Sequence, residues 1–235
     1  QRPEEDELIQ NWRQQERTSK SHQPLLGRQG STPKQRTVYF MYASPLKWHQ
    51  QRISQLNIPQ ELESVAKLPW TVSVATPLAL VETLQMRPLI LHITAHSGML
   101  PPKFSRGTGE SRRALLLEDA HGLGQDMDAN ELLDLGSWED VGLLVLLSCN
   151  SKTMAETLNC PCAVCCNGEV RDLAARQFCR SFYLALSRGY CLSKAFFMGQ
   201  QAIRCGSDAG LRSEAEKFVL LQRDGNSDDL SLLED

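Results

Sequence analysis

A histidine and a cysteine stand at the ends of two apolar stretches of this 235-residue chain. The stretch Gly142–Ser151 (GLLVLLSCNS) places Cys149 where leucine and valine give way to small polar residues, and Leu89–His96 (LILHITAH) ends on His96. An imidazole can take the proton from a thiol and later return it to a leaving group. The two residue types therefore suit nucleophilic attack on an acyl group through a covalent intermediate.

The two stretches predict the elements that would bring these side chains together. Short continuous apolar runs bounded by turn-forming residues are typical of strands buried on both faces of a parallel sheet. In open α/β sheets the ligand crevice lies outside the carboxyl ends of such strands. If the strands are neighbours, His96 and Cys149 meet at one edge.

Strand-like and helix-like segments alternate along the chain, which predicts a mostly parallel α/β domain. The predicted strands are 38–43, 70–75, 89–96, 143–149, 163–167 and 217–223, with a short hairpin or edge strand at 114–124. The predicted helices are 76–86, 128–135, 170–186 and 192–204. Helical spacing also extends over 48–68, where Pro59 and Glu61 suggest a break and a second start. We expect residues 1–36 to be a polar tail or linker that includes the end of an upstream helix, 37–223 the folded domain, and 224–235 an acidic flexible tail.

Composition excludes several classes of protein. The net charge of −3 is too small to imply binding to nucleic acid or a membrane surface, and no apolar stretch approaches the ~20 residues that span a bilayer. Disulfide-rich proteins are typically small secreted domains that lack a sufficient hydrophobic core. This chain is larger and has a full complement of core residues, so its eight cysteines are not expected to pair as disulfides. Reduced thiols in a cytoplasmic protein are the expectation.

Two further histidines and a cysteine-rich segment are also candidates for functional roles. His92 shares a strand face with His96 and is interpreted as structural, and His121 lies in a predicted turn and ranks below His96 as a base. The cysteine-rich segment Cys160–Cys166 (CPCAVCC) suggests a zinc site. Structural zinc sites usually have a second pair of ligands, and none accompanies this segment, so we interpret it as a buried strand. A nucleotide-binding domain is disfavoured, since no strand is followed by a phosphate-binding glycine motif.

Several segments together resemble the CHAT family. They are LHITAHSG, LLLEDAHGLGQDMDANELLDL, VGLLVLLSCNS and the pattern V-x-D-x-x-A-x-x-F-x-x-x-F-Y-x-x-L-x-x-G from Val170 to Gly189. The family is related to caspase-like cysteine peptidases of the clan that holds caspases, separase, legumain and gingipains. The resemblance implies a three-layer caspase-like α/β fold, with a mostly parallel central sheet and helices on both faces.

The resemblance also implies roles for five residues. His96 matches the general acid/base and Cys149 the nucleophile. Gly98 lies near the family's oxyanion-hole glycine. The family usually has His-Gly where this chain has His-Ser-Gly, so the glycine is displaced by one residue. The candidate backbone donors to the oxyanion are therefore the N–H groups of Gly98 or Ser97, together with that of Cys149. Asp172 matches an acid in the pocket for a basic residue before the cut, although an acid there also suits a helix N-terminus.

The function implied is a cysteine endopeptidase that needs no metal or organic cofactor. Its partners would be a protein or peptide substrate and a regulatory protein or upstream repeat domain that gates it, without nucleic acid or membrane. The alternative is a scaffold or interaction module that kept the fold and lost the chemistry, which the displaced glycine favours.

Overall fold

The computed structural model describes residues 37–49, 51–100, 112–206 and 208–223. The expected tails at 1–36 and 224–235 lie outside these residues. The strands are β1 (Val38–Ala43), β2 (Lys47–Trp48), β3 (Gln51–Arg52), β4 (Thr71–Val74), β5 (Ile90–Ala95), β6 (Ser97–Leu100), β7 (Arg112–Glu118), β8 (Gly124–Asp128), β9 (Leu143–Leu147), β10 (Cys162–Cys166) and β11 (Phe218–Gln222). The α-helices are α1 (Ile58–Val65), α2 (Pro77–Gln85), α3 (Ala129–Leu133), α4 (Lys152–Leu158), α5 (Asp172–Leu186), α6 (Leu192–Arg204) and α7 (Ala209–Arg212).

A six-stranded sheet forms the centre, in the order β11-β10-β9-β5-β1-β4. All neighbouring strands in it run parallel except β11, which pairs antiparallel with β10. A second sheet, β6-β7-β8, follows β5 directly and is antiparallel. The two strands with the longest apolar runs, β5 and β9, are therefore neighbours at the middle of the sheet.

The central strands are buried on both faces because helices cover each side. Every residue of β5 and β9 is buried. Alternate residues such as Leu91 and Ile93 join a core cluster with the helices α2, α3 and α4. On the opposite face His92 packs against Tyr183 of α5. The chain thus has the three-layer α/β architecture that its resemblance implied.

Local sequence signals account for the helix starts. The Thr76 hydroxyl accepts a hydrogen bond of 3.1 Å from Ala79 N, with Pro77 as the first helical residue of α2. Asp128 caps α3, and the Glu131 carboxylate accepts from the Asp128 N–H at 2.9 Å in return. No described helix is both long and apolar enough to traverse a bilayer.

Three local predictions were wrong. The segment 48–57 is not helical: Trp48 ends the short strand β2, His49 has a left-handed φ of 46°, and α1 begins only at Ile58. The segment 99–113 is rich in proline, glycine, lysine and arginine, which predicts a loop, but Met99 and Leu100 belong to β6 and Arg112 and Arg113 to β7. Residues 101–111 lie outside the described residues. The helix α4 was missed, because its seven residues are mostly polar and carry no clear amphipathic pattern.

A buried aromatic cluster fixes the face of the sheet opposite the main core cluster. The His92 ring stacks on Phe40 with centroids 4.5 Å apart, and its Nδ1 is hydrogen-bonded to the Tyr183 hydroxyl at 2.7 Å. Burial lowers the pKa of His92 to about 3, because the charged form would lose its hydration. This histidine is structural, as its strand position predicted.

Candidate functional site

The carboxyl ends of β5 and β9 carry the histidine and the cysteine. The two strands are parallel, and Thr94 is paired with Leu147. His96 and Cys149 each lie two residues beyond that pair, so the strand register brings both to the same edge of the sheet. The predicted juxtaposition therefore follows from the observed topology.

His96 and Cys149 line one cleft of about 160 Å³. Both are half-buried, so the cleft gives solvent and ligands access to them. Its other lining residues come from the carboxyl ends of β5, β9 and β10, from α1 and the residues before it, and from the start of α5 and the residues before it. They are Leu56, Glu61, Thr94, Ala95, Leu147, Ser148, Cys166, Val170, Asp172 and Ala175. The Cys149 sulfur lies 4.0 Å from the Val170 carbonyl oxygen, across the cleft mouth.

A backbone carbonyl orients the His96 ring. His96 Nε2 lies 2.7 Å from the carbonyl oxygen of Ser54, a distance at which Nε2–H donates and the proton is fixed on that nitrogen. The Ser54 loop is itself held in place, since Leu56 N donates to the Ser44 hydroxyl at 2.9 Å. Nδ1 is then the nitrogen left to accept a proton. Sequence analysis missed Ser54, because a main-chain acceptor leaves no residue-type signature.

Hydrogen bonds hold the segment around Cys149. The Ser97 hydroxyl donates to the Cys149 carbonyl oxygen at 2.5 Å. The Ser151 hydroxyl donates to the Leu146 carbonyl at 2.9 Å and accepts from Cys166 N at 3.0 Å. These contacts tie the cysteine loop to β6 and to β10, so the position of the thiol is set by three strands.

Gly98 lies in β6 against an aromatic ring. A Cβ added at Gly98 would come within 2.5 Å of Cη2 of Trp48, far inside van der Waals contact. The Trp48 indole nitrogen in turn donates to the Asp126 carboxylate. The absence of a side chain at Gly98 is thus required by the packing of Trp48, whatever its backbone N–H does.

Gly98→Ala is expected to lower the free energy of unfolding by about 1–3 kcal/mol, because the Trp48 ring must shift to admit a methyl group. Urea unfolding, followed by tryptophan emission, measures this change. In a Trp48→Leu background the same substitution should cost much less, so the double-mutant cycle isolates the contact. Equal costs in the two backgrounds would contradict the packing explanation.

Asp172 is the first residue of α5, and its exposed side chain lines the cleft. Both interpretations made from the sequence fit this position. A carboxylate in the first turn interacts favourably with the helix dipole, and the same carboxylate stands on the wall of the site.

Glu61 is a second acid in the cleft, and sequence analysis missed it. It lies in the first turn of α1 and is 6% exposed. Burial raises its pKa to about 7, and the neighbouring charge of Asp172 acts in the same direction. The Thr94 hydroxyl and the Arg176 guanidinium act in the opposite direction.

Of the remaining candidates, only Cys166 from the segment Cys160–Cys166 lines the cleft. His121 follows β7 in an exposed turn and is not among the residues that line the site. Cys160 and Cys165 are buried thiols whose pKa values burial raises to about 12. Among the described residues no group of three or more histidine, cysteine or acidic side chains is arranged to hold a metal ion.

The protein-family model of the CHAT domain matches residues 12–209. The match spans most of the chain and includes both strand ends of the cleft. No match to a curated protein was found.

Proposed function

Since the chain belongs to the CHAT domain family, whose members are related to caspase-like cysteine peptidases, we propose that it is a cysteine endopeptidase. Cys149 is the nucleophile and His96 the general acid/base. The observation that carries the proposal is the convergence of these two side chains in one open cleft at the ends of parallel β5 and β9. The Ser54 carbonyl supports it, because it fixes the imidazole as a base.

The reaction follows from these groups. His96 Nδ1 takes the thiol proton, and the Cys149 sulfur attacks the scissile carbonyl carbon to give a tetrahedral oxyanion. The imidazolium returns the proton to the leaving amine as the C–N bond breaks, which leaves a thioester. His96 then takes a proton from water, and the hydroxide attacks the thioester. The acid product leaves, and the proton returns to the Cys149 sulfur.

Strand register favours Ser97 over Gly98 as the oxyanion donor. Leu116 N donates to the His96 carbonyl at 2.9 Å, which marks His96 and Leu116 as a bonded pair of antiparallel β6–β7 pairing. Bonded and non-bonded pairs alternate, so the N–H of Ser97 points away from β7 and that of Gly98 points toward it. Ser97 N–H is free of the ladder and, with Cys149 N–H, can stabilise the oxyanion.

Asp172 supports a preference for a basic residue before the scissile bond. Its carboxylate lines the same cleft as Cys149, where it can pair with an incoming guanidinium or ammonium group. We further propose that upstream segments or a partner gate the activity, in keeping with the family resemblance. The substrate is a protein or peptide.

Selective labelling of Cys149 tests the proposal. A peptidyl acyloxymethyl ketone with arginine next to the reactive carbon is expected to modify Cys149 alone at neutral pH, because Cys149 is the half-buried thiol in the cleft with His96, whereas Cys166 in the same cleft is buried and burial raises the pKa of its thiol. Iodoacetamide serves as the comparison, since it should also reach the half-buried Cys191 and the exposed Cys205. The His96→Ala variant should label at least about 10²-fold more slowly with the peptidyl probe.

Peptide mapping by mass spectrometry locates the modified thiols. If the peptidyl probe modifies Cys149 no faster than Cys191 and Cys205, the scaffold alternative is favoured over the peptidase. The Ser97 position bears on the same choice, because the chain has serine where the family usually has glycine after the histidine.

A further inference from the structure

Glu61, which lines the cleft beside Cys149, has a buried carboxyl oxygen with no hydrogen-bond partner. Glu61 Oε2 is fully enclosed and makes no hydrogen bond to any described residue. Leaving a buried polar atom unsatisfied costs about 1–3 kcal/mol, so an apolar residue in its place would make a more stable domain. The orphaned oxygen therefore points to a group that is bound only when the cleft is occupied.

The position of Glu61 shows what kind of group that would be. Glu61 comes from α1 and Asp172 from α5, so acids on two different helices line the same cleft as the nucleophile. A guanidinium has five N–H donors in a planar fork that matches carboxylate geometry, so it can form paired hydrogen bonds to more than one carboxylate, whereas an ammonium group has three donors around one compact charge. The chemistry that best satisfies both acids is a guanidinium.

We propose that Glu61 is a specificity-determining residue which, together with Asp172, receives the guanidinium of an arginine that lies immediately before the scissile bond. This inference rests on the proposed peptidase function and names the substrate side chain for that same site. Burial of the carboxylate strengthens the interaction, because an ion pair in a low-dielectric pocket is less screened by water.

One resident cation, Arg176, also acts on Glu61. Arg176 lies one turn after Asp172 in α5 and lines a second, smaller cavity to which Glu61, His92 and Cys179 also contribute. Arg176 is absent from the lining of the cleft that holds Cys149. No ion pair within 4.0 Å joins it to Glu61 in the part of the chain that the structure describes. The cleft side of Glu61 is thus left for a ligand.

Selection for arginine should depend on pH, since Glu61 titrates near pH 7. The titratable and charged groups around Glu61 and along the cleft are Asp172, Arg176, His92, Cys179, Cys166, His96 and Cys149. His92 stays neutral above pH 5, and burial keeps Cys166 and Cys179 protonated. His96 and Cys149 act in the chemistry of every substrate, so a ratio between two substrates cancels their titration.

The test compares two peptides that differ only in having arginine or citrulline before the cut. Citrulline has nearly the shape of arginine without its charge. For the wild-type protein the ratio of kcat/KM values, arginine over citrulline, is expected to rise by up to about tenfold from pH 6 to pH 8, as Glu61 ionises. Glu61→Gln should lower the ratio at pH 8 by about 10- to 100-fold and remove its pH dependence.

Two further variants sharpen the assignment. Glu63→Gln, an exposed residue of the same helix, should leave the ratio and its pH dependence unchanged. Asp172→Asn should lower the ratio but keep a pH dependence, with its midpoint moved to lower pH, because a like charge no longer opposes ionisation of Glu61. If Glu61→Gln keeps the wild-type ratio and pH profile, Glu61 is structural and the inference is overturned.

A binding measurement separates this inference from the peptidase assignment. Calorimetric titration of N-acetyl-arginine amide and N-acetyl-citrulline amide into the Cys149→Ala protein needs no catalysis. Preferential binding of the arginine compound that is lost in Cys149→Ala/Glu61→Gln supports the pocket even if the wild-type protein cleaves no peptide. Equal binding of the two compounds at pH 8 overturns the inference, whatever the activity.

Discussion

Cys149→Ala is expected to lower peptide cleavage by on the order of 10³-fold or more while leaving the fold intact. The substitution removes the atom that forms the thioester, and no other described thiol lines the same cleft with a base except Cys166, which is buried and whose pKa burial raises. The substitution breaks one long hydrogen bond, 4.0 Å from the Cys149 sulfur to the Val170 carbonyl oxygen, at a half-buried position, so it should cost under about 1 kcal/mol of stability. Steady-state hydrolysis of an arginyl peptide and urea unfolding measure the two quantities.

Two controls accompany this experiment. Cys205→Ala removes an exposed thiol far along the chain and should leave kcat/KM unchanged. His96→Ala should lower kcat by about 10²- to 10⁴-fold, the usual contribution of a general acid/base. If Cys149→Ala cleaves at the wild-type rate, Cys149 is not the nucleophile and the proposed mechanism fails.

The meeting of His96 and Cys149 at one edge of the sheet was predictable because their positions depend on strong sequence signals. The runs that became β5 and β9 are apolar throughout, and such strands occupy the centre of a parallel sheet. Two neighbouring parallel strands necessarily present their carboxyl ends at one edge. The residue types at those ends then gave the chemistry, without knowledge of any side-chain contact.

The supporting groups were not predictable for a different reason. Ser54 acts through its carbonyl, and any residue would supply the same oxygen. Glu61 falls in the first turn of a helix, where an acid is ordinarily a solvated favourable charge, so only the packing of α1 against α5 reveals its burial. These features depend on tertiary contacts that local patterns do not encode.

The misplaced elements are also the ones with weak local signals. The strand β6 consists of Ser97, Gly98, Met99 and Leu100, which lack a strand-forming pattern, and it exists because β7 pairs with it. Trp48 lies in a segment whose sequence has helical spacing. Its ring instead packs against Gly98 of β6, and its indole nitrogen donates a hydrogen bond to the Asp126 carboxylate of β8. Tertiary packing overrode local propensity at both places.

The stability of the domain between pH 6.5 and pH 5 is expected to be nearly constant, because two buried groups act in opposite directions. The pKa of His92 falls from 6.5 in the unfolded chain to about 3 in the folded one, so the unfolded state takes up the proton and stability is lost as the pH falls. The pKa of Glu61 rises from 4.5 to about 7, so the folded state takes up the proton and stability is gained over the same interval.

Removing either group should expose the other. Each pH unit is worth about 1.4 kcal/mol per proton, so Glu61→Gln should lose about 2 kcal/mol between pH 6.5 and pH 5, and His92→Phe should gain about 2 kcal/mol. Urea unfolding at several pH values gives the change in the free energy of unfolding with pH. This pH dependence does not include the constant cost of packing a phenylalanine ring against Phe40 in the His92→Phe variant. Carboxyl groups whose pKa is lowered in the folded protein, such as those of Asp128 and Glu214, also stabilise the fold when they are ionised. Their stabilising contribution is lost mainly below pH 5, outside the window from pH 6.5 to pH 5. A flat profile for His92→Phe would mean that the Glu61 carboxyl group is ionised throughout this pH range in the folded protein and could not tune arginine selection near neutral pH. A stability measurement alone therefore bears on how the cleft distinguishes its substrates.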